Sequence, residues 1–221
     1  MIRTLDKDTE VQKIMFPAGS VLGFDENGRL WRCRISGETL MENGRIYCKA
    51  GTEVEFHSNG SLAACIPARD FAAGKLHAAG NFLTLFYENG SVFRCVLAKD
   101  VKLGRVYLLA GSEVTLFKDG SLSSYERSPD EESVTEIENA LKINTQVWLY
   151  PGGALKAGVL GQDTVIHGVP CKKETMVWFH ENKMLAGCTL SYDTTVRESD
   201  LKGGTVVLFH KNGFLRNKLS V

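Results

Sequence analysis

The 221-residue chain carries 26 lysines and arginines against 26 aspartates and glutamates, so its formal net charge is zero, and 43% of its residues are hydrophobic. That balance excludes the broad basic field of a nucleic-acid binder and any charge-driven attraction to anionic membranes, and it leaves little self-repulsion to oppose association. No apolar run approaches a bilayer span, and Met1 to Asp8 lack the apolar core of a signal peptide, so the chain reads as cytoplasmic.

Taken in order, one motif recurs along the chain. It begins as Phe24-Asp25-Glu26-Asn27-Gly28-Arg29-Leu30 and returns as Phe56 to Leu62, Phe86 to Val92, Leu116 to Leu122, Leu149 to Leu155, Phe179 to Leu185 and Phe209 to Leu215. The anchor positions 28, 60, 90, 120, 153, 183 and 213 are separated by 32, 30, 30, 33, 30 and 30 residues. A second signal precedes each anchor: Ala18-Gly19-Ser20, Ala50-Gly51-Thr52, Ala79-Gly80-Asn81, Ala110-Gly111-Ser112 and Gly203-Gly204-Thr205, degenerating to Ile143-Asn144-Thr145 and Lys173-Glu174-Thr175. Two signals in one register define seven tandem repeats of about 30 residues.

The turn chemistry predicts the local structure. A three-residue loop ending in a left-handed glycine, with its bulge, places the aromatic before the turn and the leucine after it on one face. Each repeat is therefore read as a hairpin whose Phe/Leu pair points into the core. Leu22, Val54, Thr84, Val114, Val147, Val177 and Val207 lie two residues before the first partner and share its face. Lys183, standing where the other anchors are glycine, is expected to be strained at positive φ. Thirty residues hold three or four short strands that must stack on neighbouring repeats to bury one face, and the polar Arg216, Asn217 and Lys218 suit an end cap. The segment from Ser128 to Lys142 breaks the pattern. Ser128 with Glu131 resembles a capping box, Pro129 suits a first helical position, and Val134, Ile137 and Leu141 keep helical spacing, so a short helix competes there with a distorted repeat.

The predicted fold is all-β: tandem hairpin repeats stacked as an open solenoid or long twisted sheet in a single domain spanning 1–221. A seven-bladed propeller is the alternative, disfavoured because 30 residues are few for a blade.

The residues that look chemical fall into repeat columns. Cys33, Cys65, Cys95 and Cys188 all follow an anchor by five residues; Cys48 and Cys171 share a position with Phe16, His77, Leu108, Leu141 and Leu201. These are read as stacked core columns of small apolar thiols, with no Cys-x-x-Cys pair for zinc. Asp8, Glu38, Asp70, Asp100, Asp130, Asp163 and Asp193 form an acidic column, read as Asx-turns between strands rather than a calcium ladder. His180 and His210 sit in adjacent repeats without a third ligand, and no metal site or cofactor is expected. No nucleophile elbow, zincin, P-loop or dinucleotide fingerprint occurs.

The second face of the hairpin is the exception. It carries Tyr87, Phe117, Trp148, Tyr150, Trp178, His180 and His210, with Trp31, Phe93 and Phe214 on facing strands. In a one-layer stack this side meets solvent, and a contiguous aromatic strip there marks a partner or ligand surface; otherwise further strands of the repeat cover it.

The aromatic-x-x-Asn-Gly-x-Leu hairpins resemble MORN-type repeats and the Trp/Tyr hairpin repeats of bacterial cell-wall-binding modules. The MORN unit is shorter and carries a Tyr-x-Gly element that does not recur through these repeats, and the cell-wall repeats are richer in Trp and Tyr. The resemblance covers the hairpin portion of each copy and assigns no residue a role.

The function expected from these observations is non-catalytic binding or scaffolding through the repeat surface, with a protein partner or a second copy of the chain in a homodimer. A carbohydrate-binding module using the aromatic strip is a second reading, and a β-helical carbohydrate-active enzyme a third.

Overall fold

The computed structural model describes residues 1–41, 45–104, 106–127, 136–196 and 198–219. Long hairpins recur as expected: Val21–Phe24 with Leu30–Arg34, Glu53–Phe56 with Leu62–Cys65, Thr84–Phe86 with Val92–Val96, Gln146–Leu149 with Leu155–Val159, Met176–Phe179 with Leu185–Thr189, and Val206–Phe209 with Leu215–Leu219. The strand order is the chain order through fifteen strands, antiparallel at each assigned pair, from Ile2–Thr4 to Leu215–Leu219. Ile2–Thr4 pairs with Val21–Phe24, and Leu215–Leu219 with Val206–Phe209; no pairing between the first and last strands closes a ring among the described residues. Successive long hairpins pair into one continuous sheet and not into separate four-stranded blades, so the array is an open repeat sheet and not a propeller.

The chain divides into two compact units, one of residues 1–101 and 109–121 and one of residues 102–108 and 122–221. Both use the same local construction. In the first hairpin Gly28 N–H donates to Asp25 O (3.2 Å) and Asp25 N–H to Arg29 O (2.9 Å), which closes the three-residue loop, and Gly28 has φ 75°. Phe24 then pairs with Leu30 but Gly23 with Arg32, so Trp31 is an extra, bulged residue. Every anchor is left-handed, Lys183 included at φ 67°. The position nine residues earlier is left-handed too, as Gly19, Gly51, Asn81, Gly111, Asn144, Glu174 and Gly204. Its N–H reaches back to one column of carbonyls, those of Leu5, Ile35, Pro67, Leu97, Arg127, Leu160 and Leu190.

Between long hairpins lies a short one: Thr9–Val11 with Ile14–Phe16, Thr39–Met41 with Ile46–Cys48, Phe71–Ala73 with Leu76–Ala78, Val101–Leu103 with Val106–Leu108, Thr164–Ile166 with Val169–Cys171, and Thr194–Val196 with Ser199–Leu201. Where the sequence breaks its pattern, a helix at Glu136–Ala140 leads into Leu141, which keeps the repeat's bridge by pairing with Leu160. The Ser128 and Pro129 signals lie outside the described residues, as does Asp130. No described helix is long and apolar enough to cross a membrane.

The core lies where the short hairpins meet one face of the long ones. The Leu22/Val54/Val114/Val147/Val177/Val207 column is at most 1% exposed. Of the partners before the turn, Phe56, Phe86, Leu116, Leu149, Phe179 and Phe209 are buried, and Phe24 is half-buried. All six cysteines are buried thiols. Burial, with Cys48 adjacent, pushes the Cys33 thiol up to about 12, and burial with Glu113 nearby pushes Cys95 up to about 11. A hydrogen bond with Cys171, then burial, raises the Cys188 thiol as well. Thiolates are the reactive form, so thiol titration of the native protein should find these cysteines protected, with all six appearing on unfolding. Rapid reaction in the folded state would show that the columns are not packed.

Two column assignments change. The position shared with Cys48 and Cys171 is occupied in the third repeat by Ala78, fully buried, whereas His77 is exposed and pairs with Ala72 across the short hairpin. The acidic column does not make Asx-turns. Asp8, Asp70, Asp100, Asp163 and Asp193 each accept from a backbone N–H ten residues on (Ala18, Gly80, Ala110, Lys173 and Gly203, at 2.7–2.9 Å). The carboxylate thus clasps the base of the short hairpin. Glu38, one methylene longer, instead pairs with Arg69 at 2.6 Å.

One core column carries a polar exception. Thr84, fully buried opposite Cys65, occupies a valine position, and its hydroxyl has no hydrogen-bond partner among the described residues. A buried hydroxyl without a partner costs about 1–3 kcal/mol. Thr84→Val is therefore expected to raise the unfolding midpoint, by about 1 kcal/mol of stability; a lowered midpoint in urea would show that the hydroxyl is bonded.

Candidate functional site

The candidate residues lie on the sheet face turned away from the short hairpins, and each unit presents its own row. In the first unit the paired row reads Arg32, Glu55, Ala64, Leu85, Arg94 and Thr115, with Arg32, Glu55 and Arg94 exposed. In the second it reads Ser124, Trp148, Ala157, Trp178, Gly187, Leu208 and Asn217. The same backbone therefore displays a charged face in one unit and an indole-bearing face in the other.

The second row alternates large and small side chains. Trp148 and Trp178 flank Ala157, two strand spacings apart, about 10 Å. Gly187 sits between Trp178 and Leu208. A Cβ there would meet Leu208 Cδ2 at 2.7 Å, Val207 O at 2.9 Å and Trp178 Cε3 at 3.3 Å, so both large side chains lean over the glycine. Ala157 is accordingly only 5% exposed while both indoles are half-buried. The row is interlocked, with part of each indole left facing outward.

The column three residues before the anchors does a different job. Tyr87 donates its hydroxyl to Leu116 O (2.9 Å), and Tyr150 to Phe179 O (3.0 Å). His57 and His180 reach Phe86 O and Phe209 O through Nε2, each at 2.9 Å. A carbonyl only accepts, so Nε2 carries the proton in both histidines. Each side chain spans 29 residues of sequence to tie one hairpin to the next. The hairpin tips add further ties: Asn59 Nδ2 to Glu88 O, Ser61 Oγ to Glu88 O, Ser91 Oγ to Lys118 O, and Asn182 Nδ2 to Lys211 O. Tyr87 also meets Phe93 edge-on at 5.1 Å, and Lys156 lies 5.8 Å over the Tyr150 ring.

Of the sequence-predicted residues, Tyr87 and Phe117 thus lie half-buried in the first unit. Trp148, Tyr150, Trp178 and His180 lie half-buried in the second, with His210 exposed. Tyr87, Tyr150 and His180 have their polar tips committed to backbone carbonyls. Phe117 has no polar tip to commit. Trp31 and Phe214 are 42% and 58% exposed, and Arg32 stacks 4.3 Å from the Trp31 ring. Sequence reasoning recognised the column but not its bonds; the signal available was that polar-tipped rings, His and Tyr, fill five of its seven positions.

No known family matches the sequence, and no curated protein matches it. Among solved structures, the chain aligns to the modular autolysin LytC from Streptococcus pneumoniae at 11% identity and a TM-score of 0.17, covering 97% of this chain and 47% of that one. The chain spans about half the length of that protein. A TM-score this low is no basis for transferring fold or function.

Proposed function

We propose that the protein is a non-catalytic repeat protein that binds a protein partner through the outward sheet face of its second unit. Trp148, Tyr150, Trp178, His180 and His210 are the contact residues, with Tyr87 and Phe117 the corresponding residues of the first unit. The observation that carries the reading is the pair of half-exposed indoles in one registered row, on a face the short hairpins do not cover. Tryptophans on a rigid strand offer large contact area at low entropic cost. The tyrosine and histidine ties support the same reading, because they hold the row in place before any partner arrives. Zero net charge leaves no long-range repulsion between copies, so a second copy is the first partner to test. Six buried free thiols suit a reducing compartment, and a cytoplasmic location is part of the proposal.

The test is sedimentation of wild type and Trp178→Ser, with acrylamide quenching of tryptophan fluorescence. Association that shields the indoles in the wild type and is lost in the variant supports the proposal. A monomeric wild type with readily quenched indoles removes self-association, and indoles shielded in the monomer remove the surface altogether. Carbohydrate is the second reading, favoured by two outward indoles about 10 Å apart in one row, a spacing that lets both stack on one saccharide chain. Glycan-array binding lost in Trp148→Ser would support it over a protein partner.

A further inference from the structure

Away from this face, in the second unit, a cleft of about 130 Å³ lies between the last two repeats. Its floor is apolar: Val169, Leu185, Val196 and Phe209 are each no more than 7% exposed. Met184 and His167 form its walls. We propose that this cleft is a binding site for a small ligand with a single aromatic ring bearing one hydrogen-bond acceptor.

Size, chemistry and local sequence all point this way. A cavity of about 150 Å³ lined by aliphatic and aromatic side chains takes one benzene ring, and this cleft is close to that size. A thioether and a phenyl group in the lining favour an aromatic over an aliphatic occupant, through sulfur–ring and ring–ring contacts. His167 supplies the polar complement. Its Nδ1 accepts the Leu185 N–H at 3.3 Å, so the neutral ring carries its proton on Nε2 and has that donor left for a ligand.

The repeats also depart from their own pattern here. Where Met184 stands, the second, third and fourth repeats carry Ser61, Ser91 and Ser121, and the first two of these serines tie their hairpin tip to the next. Where His167 stands, the third and fourth repeats carry Gly74 and Gly104. His167 (φ 51°) and Lys183 (φ 67°), in two of the turns beside the cleft, are non-glycine residues in the left-handed region, which costs stability; Gln12 holds the same φ as His167 at the equivalent turn of the first repeat.

The test uses protein with labelled methionine methyl groups and p-cresol as the probe. The chain has five methionines, so Met1, Met15, Met41 and Met176 serve as internal controls for Met184. A saturable shift of the Met184 methyl alone is expected. His167→Gly installs the residue that the third and fourth repeats use, Gly74 and Gly104, and relieves the turn, so it should fold. It is expected to weaken p-cresol about fivefold, the weight of one neutral hydrogen bond. A Met184 methyl that stays still, that shifts without saturation, or that shifts together with Met1 and Met15 overturns the site. Unchanged affinity in His167→Gly overturns the ligand class proposed for it.

Discussion

Phe86→Ala is expected to lower the stability of the first unit by about 3–5 kcal/mol. Phe86 is 4% exposed and pairs with Val92 across the turn, and its ring centroid lies 6.2 Å from that of Phe71 in the adjoining short hairpin. Truncation removes contacts to both elements at once and leaves a cavity that the clasped short hairpin cannot collapse to fill. The control is Ser91→Ala on the same turn. From the sequence alone that change looks nearly neutral, but the Ser91 hydroxyl bonds Asn89 Oδ1 at 2.7 Å and Lys118 O at 3.2 Å. A loss of about 0.5–1.5 kcal/mol is therefore expected for it. Stacked repeats are coupled through nearest neighbours and need not melt as one body. Urea unfolding is best followed by far-ultraviolet circular dichroism together with Trp31 fluorescence in a Trp148→Phe, Trp178→Phe background, so that the emission reports on the same unit. An unchanged midpoint in Phe86→Ala would mean that the hairpin register is wrong.

That register was legible because two periodicities constrain it together. The spacing of the anchors places the turns, and the three-residue loop forces Phe86 and Val92 onto one face. The valine and cysteine columns follow by counting in twos along a strand. Counting fails where a signal is displaced. The left-handed position of the third repeat is Asn81 and not Gly80, so counting back from the glycine exchanged exposed His77 for buried Ala78. The aspartate column was visible, but its bond partner was not, since Asp70 reaches a backbone N–H beyond a whole short hairpin. The same holds for Tyr87 and His180. Period alone says which face a ring leaves from, and not that its polar tip runs along the stack to the next carbonyl. The fold was therefore largely readable. The candidate surface was readable as a set of positions, and the difference between the charged row of one unit and the indole row of the other emerged only from strand pairing.

Arg127 was missed, and it carries the second large effect. It stands in the column of Leu5, Ile35, Pro67, Leu97, Leu160 and Leu190, all buried, and is itself only 7% exposed. Its backbone follows the repeat without deviation: Arg127 N–H donates to Thr145 O and Asn144 N–H to Arg127 O, both at 2.9 Å, as Leu97 does with Ser112 and Gly111. Only the side chain departs. Its guanidinium donates to Leu141 O, just past the end of the Glu136–Ala140 helix. The final carbonyls of a helix lack intrahelical partners, and a cation there is favourable. The arginine therefore takes the place of the column's apolar residue in the repeat that carries the Glu136–Ala140 helix. Arg127→Ala is expected to cost about 3 kcal/mol in urea unfolding of the second unit, from a lost charge-assisted hydrogen bond to a buried carbonyl together with the space left behind. Arg127→Leu separates the two contributions. It refills the column with the residue used at Leu97 and Leu160, so it should recover the packing part and leave about 1.5–2 kcal/mol of loss from the carbonyl alone. Equal losses in both variants would make the contribution wholly polar. Wild-type stability in both would show that the guanidinium does not hold the helix end in solution.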